Sequence, residues 1–376
     1  MAQGFCSSSY LLKSVLYLCL ILTKMGGCLE RQYEAPKAID SKLWDGFLAG
    51  IPSGALNGKV VVITGCSSGL GKVLAEACGA KGATVVMVNR ASDRASKAFD
   101  QVRAKLGDRV INIEGDMASF KSVRNAAQQI NSQFASTGID VLANNAGIMA
   151  FPDKATEDGC DIQMQTNHLG HFLLTKELYP LLQKAAETRG EARIVHQTSI
   201  GAITTGAMGA DTGPLKPEYL GKNGGNLGGD ADNGPMKMDG PTWDRYGQSK
   251  LANIVFTMAL KDKLAAASSK IKAVVAHPGI SASNLQVTAV GQGGMSGLTA
   301  SMAVSQSAED GTMGIMQCVA GPVTSGDIWG PGGTGMAGEI QNLTSVWGAR
   351  PAISDQDGRT MLWVESEKST GCKFDI

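Results

Sequence analysis

From residue 58 onward the chain alternates short apolar runs with longer stretches whose apolar residues recur every three or four positions. Val60 to Ile63 is a run of β-branched residues and reads as a fully buried strand. The chain then turns through Thr64-Gly65-Cys66-Ser67-Ser68-Gly69-Leu70-Gly71. Beyond that turn Leu70, Val73, Leu74 and Cys78 fall at i, i+3, i+4 and i+8, one face of a helix. Ala83 to Val88 predicts a second buried strand, Arg109 to Asp116 a third, and Asp140 to Gly147 a fourth that runs into a turn. Ala192 to Ser199 predicts a fifth, and Ile271 to Ala276 a sixth, followed by the turn His277-Pro278-Gly279. Helices are expected to start at Thr166 to Leu174, to cover Tyr246 to Leu264, and to follow the capping box Ser307-Ala308-Glu309-Asp310. Strand and helix in six alternating units predict an α/β fold, a doubly wound parallel sheet in a single domain over residues 57–376.

Two stretches interrupt this rhythm. The insertion 201–240 is rich in Gly, Asp and Asn and cannot sustain a helix or strand. A loop of that length inside a domain is functional or disordered. Residues 284–306 are apolar and rich in Gly, Met and Ser, which suits a mobile lid over a greasy substrate. Ahead of the domain, residues 1–29 hold Lys13, Lys24, no acid, and the apolar run Val15 to Leu22. A bilayer span needs about twenty apolar residues, so this run is too short to cross comfortably. It reads as a signal-peptide core, an organelle-targeting leader, or a tail that associates the domain with a membrane face. Location is then the endoplasmic reticulum, another membrane face, or a plastid. The polar stretch 30–56 is expected to act as a linker.

Composition removes several function classes. Lys plus Arg and Asp plus Glu both number 34, so no basic footprint argues for nucleic acid. Eight Cys are scattered without a CxxC pair and only four His are present. Neither a disulfide framework nor a zinc site is expected. His168 and His171 have no acid or Cys spaced to share a metal with them, and no metal is expected.

The chemistry begins at the glycines. Strand, Gly-rich turn and helix in that order are the context of a phosphate site: amide N–H groups at the helix start face the anion, and glycines allow close approach. The spacing here is Gly-x3-Gly-x-Gly. The second strand ends at Asn89-Arg90, where such a fold meets the adenosine ribose. An acid there would bind the 2′-hydroxyl, and an Arg can accommodate a 2′-phosphate, so Arg90 favours NADP(H). Tyr246 and Lys250 lie four apart on a predicted helix and share a face. That helix starts beside the strand ending at Ser199. A phenol titrates near pH 10, too high for efficient proton transfer at neutral pH. A neighbouring ammonium and the positive nicotinamide ring would lower that value. Tyr246 would then exchange a proton with an alcohol or carbonyl oxygen, while Ser199 hydrogen-bonds the same oxygen. The cofactor would supply the hydride.

Thr64-Gly65-Cys66-Ser67-Ser68-Gly69-Leu70-Gly71, Asn144-Asn145-Ala146-Gly147, Ser199, Tyr246-Gly247-Gln248-Ser249-Lys250 and Pro278-Gly279 stand in the order of the short-chain dehydrogenase/reductase family. The chain resembles that family, a Rossmann-type fold, over about residues 57–370. Thr166 to Thr175, Tyr246 to Asn253 and Leu362 to Glu367 resemble its retinol dehydrogenase-like branch. That branch includes the chloroplast envelope translocon-associated dehydrogenase and lies near light-dependent protochlorophyllide reductase. The resemblance implies a catalytic set of Asn167, Ser199, Tyr246 and Lys250, with Asn167 holding a water near Lys250. It implies NADP(H) contacts from Gly65, Ser67, Ser68, Gly69, Leu70 and Gly71, and from Asn89, Arg90, Asp116 and Met117. Further contacts are implied from Asn145, Ala146, Gly147, Tyr246 and Lys250, and from Pro278, Gly279, Ile280 and Ser283. It also suggests dimers or tetramers.

Two features depart from the family pattern. Ser199 and Tyr246 are 47 positions apart, far more than usual, because the insertion lies between them. Gln197-Thr198-Ser199 replaces the usual paired serines. The expected function is an NADP(H)-dependent oxidoreductase that interconverts a hydrophobic alcohol and carbonyl of retinoid, steroid or lipid type. Two other readings stand beside it. One is a light-requiring pigment reductase like protochlorophyllide reductase; the other is an NADP(H)-binding redox-sensing subunit of a protein complex.

Overall fold

The computed structural model describes residues 40–205, 210–229, 239–296, 300, 305–333 and 335–376. The leader expected over 1–29 lies outside them, as does part of the expected lid over 284–306. The strands are β1 (Val60–Thr64), β2 (Thr84–Asn89), β3 (Val110–Glu114), β4 (Val141–Asn144), β5 (Ala192–Gln197), β6 (Ile271–Ala276), β7 (Ile328–Pro331) and β8 (Ile340–Asn342). They form one sheet in the order β8-β7-β6-β5-β4-β1-β2-β3. Every pair is parallel except β7 with β8. The first six match the sequence expectation. Sequence periodicity missed β7 and β8: β7 is four residues carrying Gly330 and Pro331, and β8 is a short, partly exposed edge.

The main helices are α1 (Trp44–Gly50), α2 (Gly69–Ala80), α3 (Asp93–Leu106), α4 (Phe120–Phe134), α5 (Gly170–Arg189), α6 (Pro241–Ala266), α7 (Ala308–Ala320) and α8 (Gln356–Thr370). They cover both faces of the sheet, which is therefore doubly wound. Val60 and Val62 point into the apolar layer under α4, α5, α6 and α8. Val61 and Ile63 point into the other, under α1, α2, α3 and α7. All five β1 residues are buried, which is why the run is unbroken instead of alternating. Among the described residues no helix is long and apolar enough to cross a membrane.

Part of the stretch expected as a linker is structured. Asp310, in the first turn of α7, accepts hydrogen bonds from Ser41 Oγ (2.8 Å), the Leu43 amide (3.2 Å) and the Trp44 amide (2.9 Å). Trp44 is buried against the sheet layer beneath α7 and α2. The signal for α1 was present, since Trp44, Phe47, Leu48 and Ile51 fall at i, i+3, i+4 and i+7 and pack on that layer.

Residues 206–209 and 230–238 of the insertion lie outside the described residues, and Pro214, Lys216 and Gly228 pack along the amino-terminal half of α6. The Gln248 amide donates to Pro214 O (3.0 Å) and its oxygen accepts from the Lys216 amide (2.9 Å). Arg245 donates to Asp161 Oδ2 (2.8 Å), to Phe151 O (2.8 Å) and to Gly228 O (3.0 Å). Both side chains of the Arg245–Asp161 pair are completely buried. The other Asp161 oxygen caps the short helical turn Ile162–Met164 through the Gln163 and Met164 amides. One guanidinium thus binds the insertion and the loop after β4 to the helix that carries Tyr246. Removing one partner of such a pair strands a buried charge and costs about 3–5 kcal/mol, whereas replacing both by apolar groups costs far less. In urea unfolding, Arg245→Met is expected to lose about that much stability. The double variant Arg245→Met/Asp161→Leu is expected to recover most of it.

Candidate active site

Parallel pairing places the ends of β1, β4, β5 and β6 at one edge, and the expected site residues lie just beyond them. The turn after β1 is closed by Gly65, whose φ of +75° lies in the left-handed region. A Cβ there would stand 2.7 Å from Ala146 Cα, so the turn needs glycine to lie against the β4 turn. Thr64 Oγ1 accepts the Asn145 (3.0 Å) and Ala146 (2.9 Å) amides, and Asn145 Nδ2 donates back to Thr64 O (2.9 Å). The Cys66 amide donates to Asn89 Oδ1 (2.6 Å). Cys66 itself is fully buried, and burial pushes its thiol far up.

This turn fits a phosphate-bearing nucleotide on two observations. Ser68 sits at the N-cap of α2 but its hydroxyl caps no amide, so the first-turn N–H groups lack a side-chain acceptor. Buried Asn89 Nδ2 at the end of β2 has no hydrogen-bond partner either. Ser67, Ser68, Gly69 and Leu70 are half-buried around the turn, Gly71 is buried beneath it, and Arg90 is exposed beside Asn89. The loop after β6 reaches the same place: a Cβ on Gly69 would stand 3.3 Å from Ser283 Cβ. That loop is held by Ile280, whose amide donates to Met336 O (2.7 Å), and by Pro278 O, which accepts from Ser281 Oγ (2.8 Å). Gly279 turns between them with φ +61°.

Two expected residues are placed differently from the rest. Asp116 lies past the end of β3, its carboxylate accepting the Ala118 amide (2.9 Å). The Met117 side chain is buried in the core.

The candidate catalytic side chains converge. Tyr246 and Ser199 both border Gly201, where a Cβ would stand 3.1 Å from Tyr246 Cε1 and 3.6 Å from Ser199 Oγ. Lys250 Nζ lies 5.9 Å from the Tyr246 ring centroid and donates to Gln197 O (3.4 Å). A Cβ on Gly147 would stand 3.0 Å from Lys250 Nζ and 3.1 Å from Asn167 Oδ1, so all three residues meet. Asn167 lies in a π turn, Gln165–Leu169, ahead of α5. Its Oδ1 accepts the Ile148 amide (2.8 Å), and its Nδ2 donates to Ile148 O (3.0 Å) and Ser249 Oγ (2.8 Å). Single π turns are rare and recur at functional sites. Trp243 stands edge-on to Tyr246 at 5.8 Å, and its indole donates to Gly294 O (3.0 Å).

Burial pushes the Tyr246 phenol up to about 12, with the Ser199 hydrogen bond opposing. Burial pushes the Lys250 amine down to about 8. Of the two charges expected to lower the phenol, the Lys250 ammonium and a nicotinamide ring, the ammonium is the one the chain itself supplies. At this depth desolvation outweighs it, because burial disfavours the charged form of both groups. The geometry brings a protonated phenol, a hydroxyl and an amine to one half-open edge beside a phosphate-competent turn. Such a set can deliver a proton to an oxygen while stabilising charge there.

Comparison with known proteins agrees with this geometry. The family described as short chain dehydrogenase matches residues 59–210. An uncharacterized oxidoreductase of Schizosaccharomyces pombe is 35% identical over 229 residues, 60% of this chain and 61% of that protein. The chain thus spans under two thirds of that relative's length. Human retinol dehydrogenase 14 is 34% identical over 283 residues, 70% of this chain and 73% of that protein. A solved structure from Mycobacterium paratuberculosis is 31% identical with TM-score 0.65, covering 88% of this chain and 98% of its own. With a glycine turn, a parallel sheet and a Tyr–Lys helix in shared order, the chain belongs to the short-chain dehydrogenase/reductase family of oxidoreductases.

Proposed function

We propose that the chain is an NADP(H)-dependent oxidoreductase acting between a hydrophobic alcohol and its carbonyl. The convergence of Tyr246, Ser199, Lys250 and Asn167 beside the Gly65 turn carries this reading. When bound, a nicotinamide nucleotide supplies the hydride. Gly65 to Gly71, Asn145 to Gly147 and Pro278 to Ser283 would hold it. Arg90, exposed at the end of β2 with no acid at 89 or 90, would meet a 2′-phosphate. Tyr246 stays protonated at neutral pH and donates its proton to the carbonyl oxygen as negative charge develops there. Ser199 donates to the same oxygen. Lys250 retains its charge at neutral pH, close to its shifted value, and returns a proton toward the phenol through the space beside Asn167. The edge-on Trp243 and its bond to Gly294 give the site an apolar wall, which suits a retinoid, steroid or lipid-like substrate. The name of human retinol dehydrogenase 14 points to the same substrate class.

Three outcomes test this reading. Tyr246→Phe is expected to lower kcat for carbonyl reduction by about 10²–10⁴-fold with NADPH binding retained. Turnover at the wild-type rate would sink the assignment. Arg90→Asp is expected to raise the NADPH dissociation constant by about tenfold to a hundredfold while leaving NADH binding within about twofold. A loss shared equally by both nucleotides would argue against 2′-phosphate recognition.

The third concerns stability. Because the folded Lys250 amine titrates near 8 and the unfolded one near 10.5, the unfolded chain holds the extra proton between those values. Its burial cost is present in full below about 8 and is relieved as pH rises. Wild type is therefore expected to gain up to about 2 kcal/mol relative to Lys250→Met between pH 8 and 10, read from denaturant unfolding. A difference that does not change with pH would contradict the shift.

A further inference from the structure

The glycine turn and the proton-handling residues are joined by a side chain that neither the motifs nor the family comparison assigns. His171 lies one turn after Asn167 and is fully buried. Its Nδ1 lies 3.0 Å from Asn167 O, and its Nε2 lies 2.9 Å from Thr64 Oγ1. A carbonyl oxygen can only accept, so Nδ1 must carry a proton. Burial pushes the ring down to about 4, so it is neutral and Nε2 is bare. Thr64 must then donate its hydroxyl proton to Nε2, which leaves its lone pairs for the Asn145 and Ala146 amides. Every donor and acceptor in this chain of contacts is fixed in direction.

We propose that His171 is a positioning residue: through one imidazole tautomer it ties the Asn167 carbonyl, on the proton side, to the Thr64–Ala146 turns on the nucleotide side. This rests on the roles proposed above for Asn167 and Lys250. One nitrogen serves each partner. The Nδ1 bond fixes the Asn167 carbonyl within the π turn whose Asn167 side chain meets Lys250 at Gly147, and the Nε2 bond braces the turns that would hold the nucleotide.

The two bonds can be removed one at a time, because an Asn amide reaches the Nδ1 position of His and a Gln amide reaches the Nε2 position. His171→Asn keeps a donor for Asn167 O and loses Thr64. His171→Gln keeps an acceptor for Thr64 and loses Asn167. In fluorescence titration with NADPH, His171→Asn is expected to raise the dissociation constant about fivefold, with a much smaller change in His171→Gln. In turnover with saturating NADPH and an aldehyde that wild type reduces, His171→Gln is expected to lose kcat about tenfold and His171→Asn much less. Nitrogen NMR of ¹⁵N-histidine wild type should show a pyrrole-type Nδ1 and a pyridine-type Nε2 for His171 across neutral pH. A proton on Nε2 would overturn the proposal. So would equal proportional losses of NADPH affinity and kcat in both variants, which mark a merely structural histidine. If wild type reduces no carbonyl, the dehydrogenase reading fails, while the NMR spectrum and the NADPH titrations still decide the role of His171. If a variant fails to fold, the wild-type tautomer decides it.

Discussion

Parallel pairing of β1 through β7 forces their carboxyl ends onto one edge, and every candidate site residue depends on that constraint. An antiparallel neighbour would have carried Asn145 or Ser199 to the far side of the molecule. The buried, β-branched strands make the constraint stiff, since a slip of one residue would exchange the two apolar faces of β1. On this edge the backbone does much of the positioning. Asn167 reads the Ile148 backbone in both directions, and Lys250 rests on the Gln197 carbonyl.

Much of this was legible in the sequence because it rests on local signals. Val60 to Ile63, the glycine turn and the Tyr246–Lys250 spacing each report a short stretch of backbone, and each stands where it was expected. What escaped depends on contacts across the chain. Arg245 finds Asp161 84 positions away, and Trp44 finds Asp310 266 positions away. Neither pair leaves a periodic trace. His171 was visible as a helix residue four after Asn167, but its link to Thr64 follows only from how α5 crosses β1. The depth at which Tyr246 and Lys250 are buried is likewise invisible to spacing, which reveals only that a charge stands near the phenol.

The insertion illustrates how a long, Gly-rich segment can be tolerated next to a site that needs precision. Loop-closure cost grows slowly with length, so the extra residues weigh little if their ends are anchored. Here the anchors are Gln248 and Arg245, which point away from the face bearing Tyr246 and Lys250. Pro214, Lys216 and Gly228 of the added segment are thereby secured on the side of α6 away from the convergence, while Gly201 at its start lies between Ser199 and Tyr246.

Cys66 sits inside the glycine turn after β1, buried and held in its thiol form. The reactive species of cysteine is the thiolate, so peroxides and alkylating reagents find no handle there. Oxidative conditions would leave the turn chemically intact. Redox chemistry at this turn would therefore fall to a nucleotide bound there, not to the Cys66 sulfur.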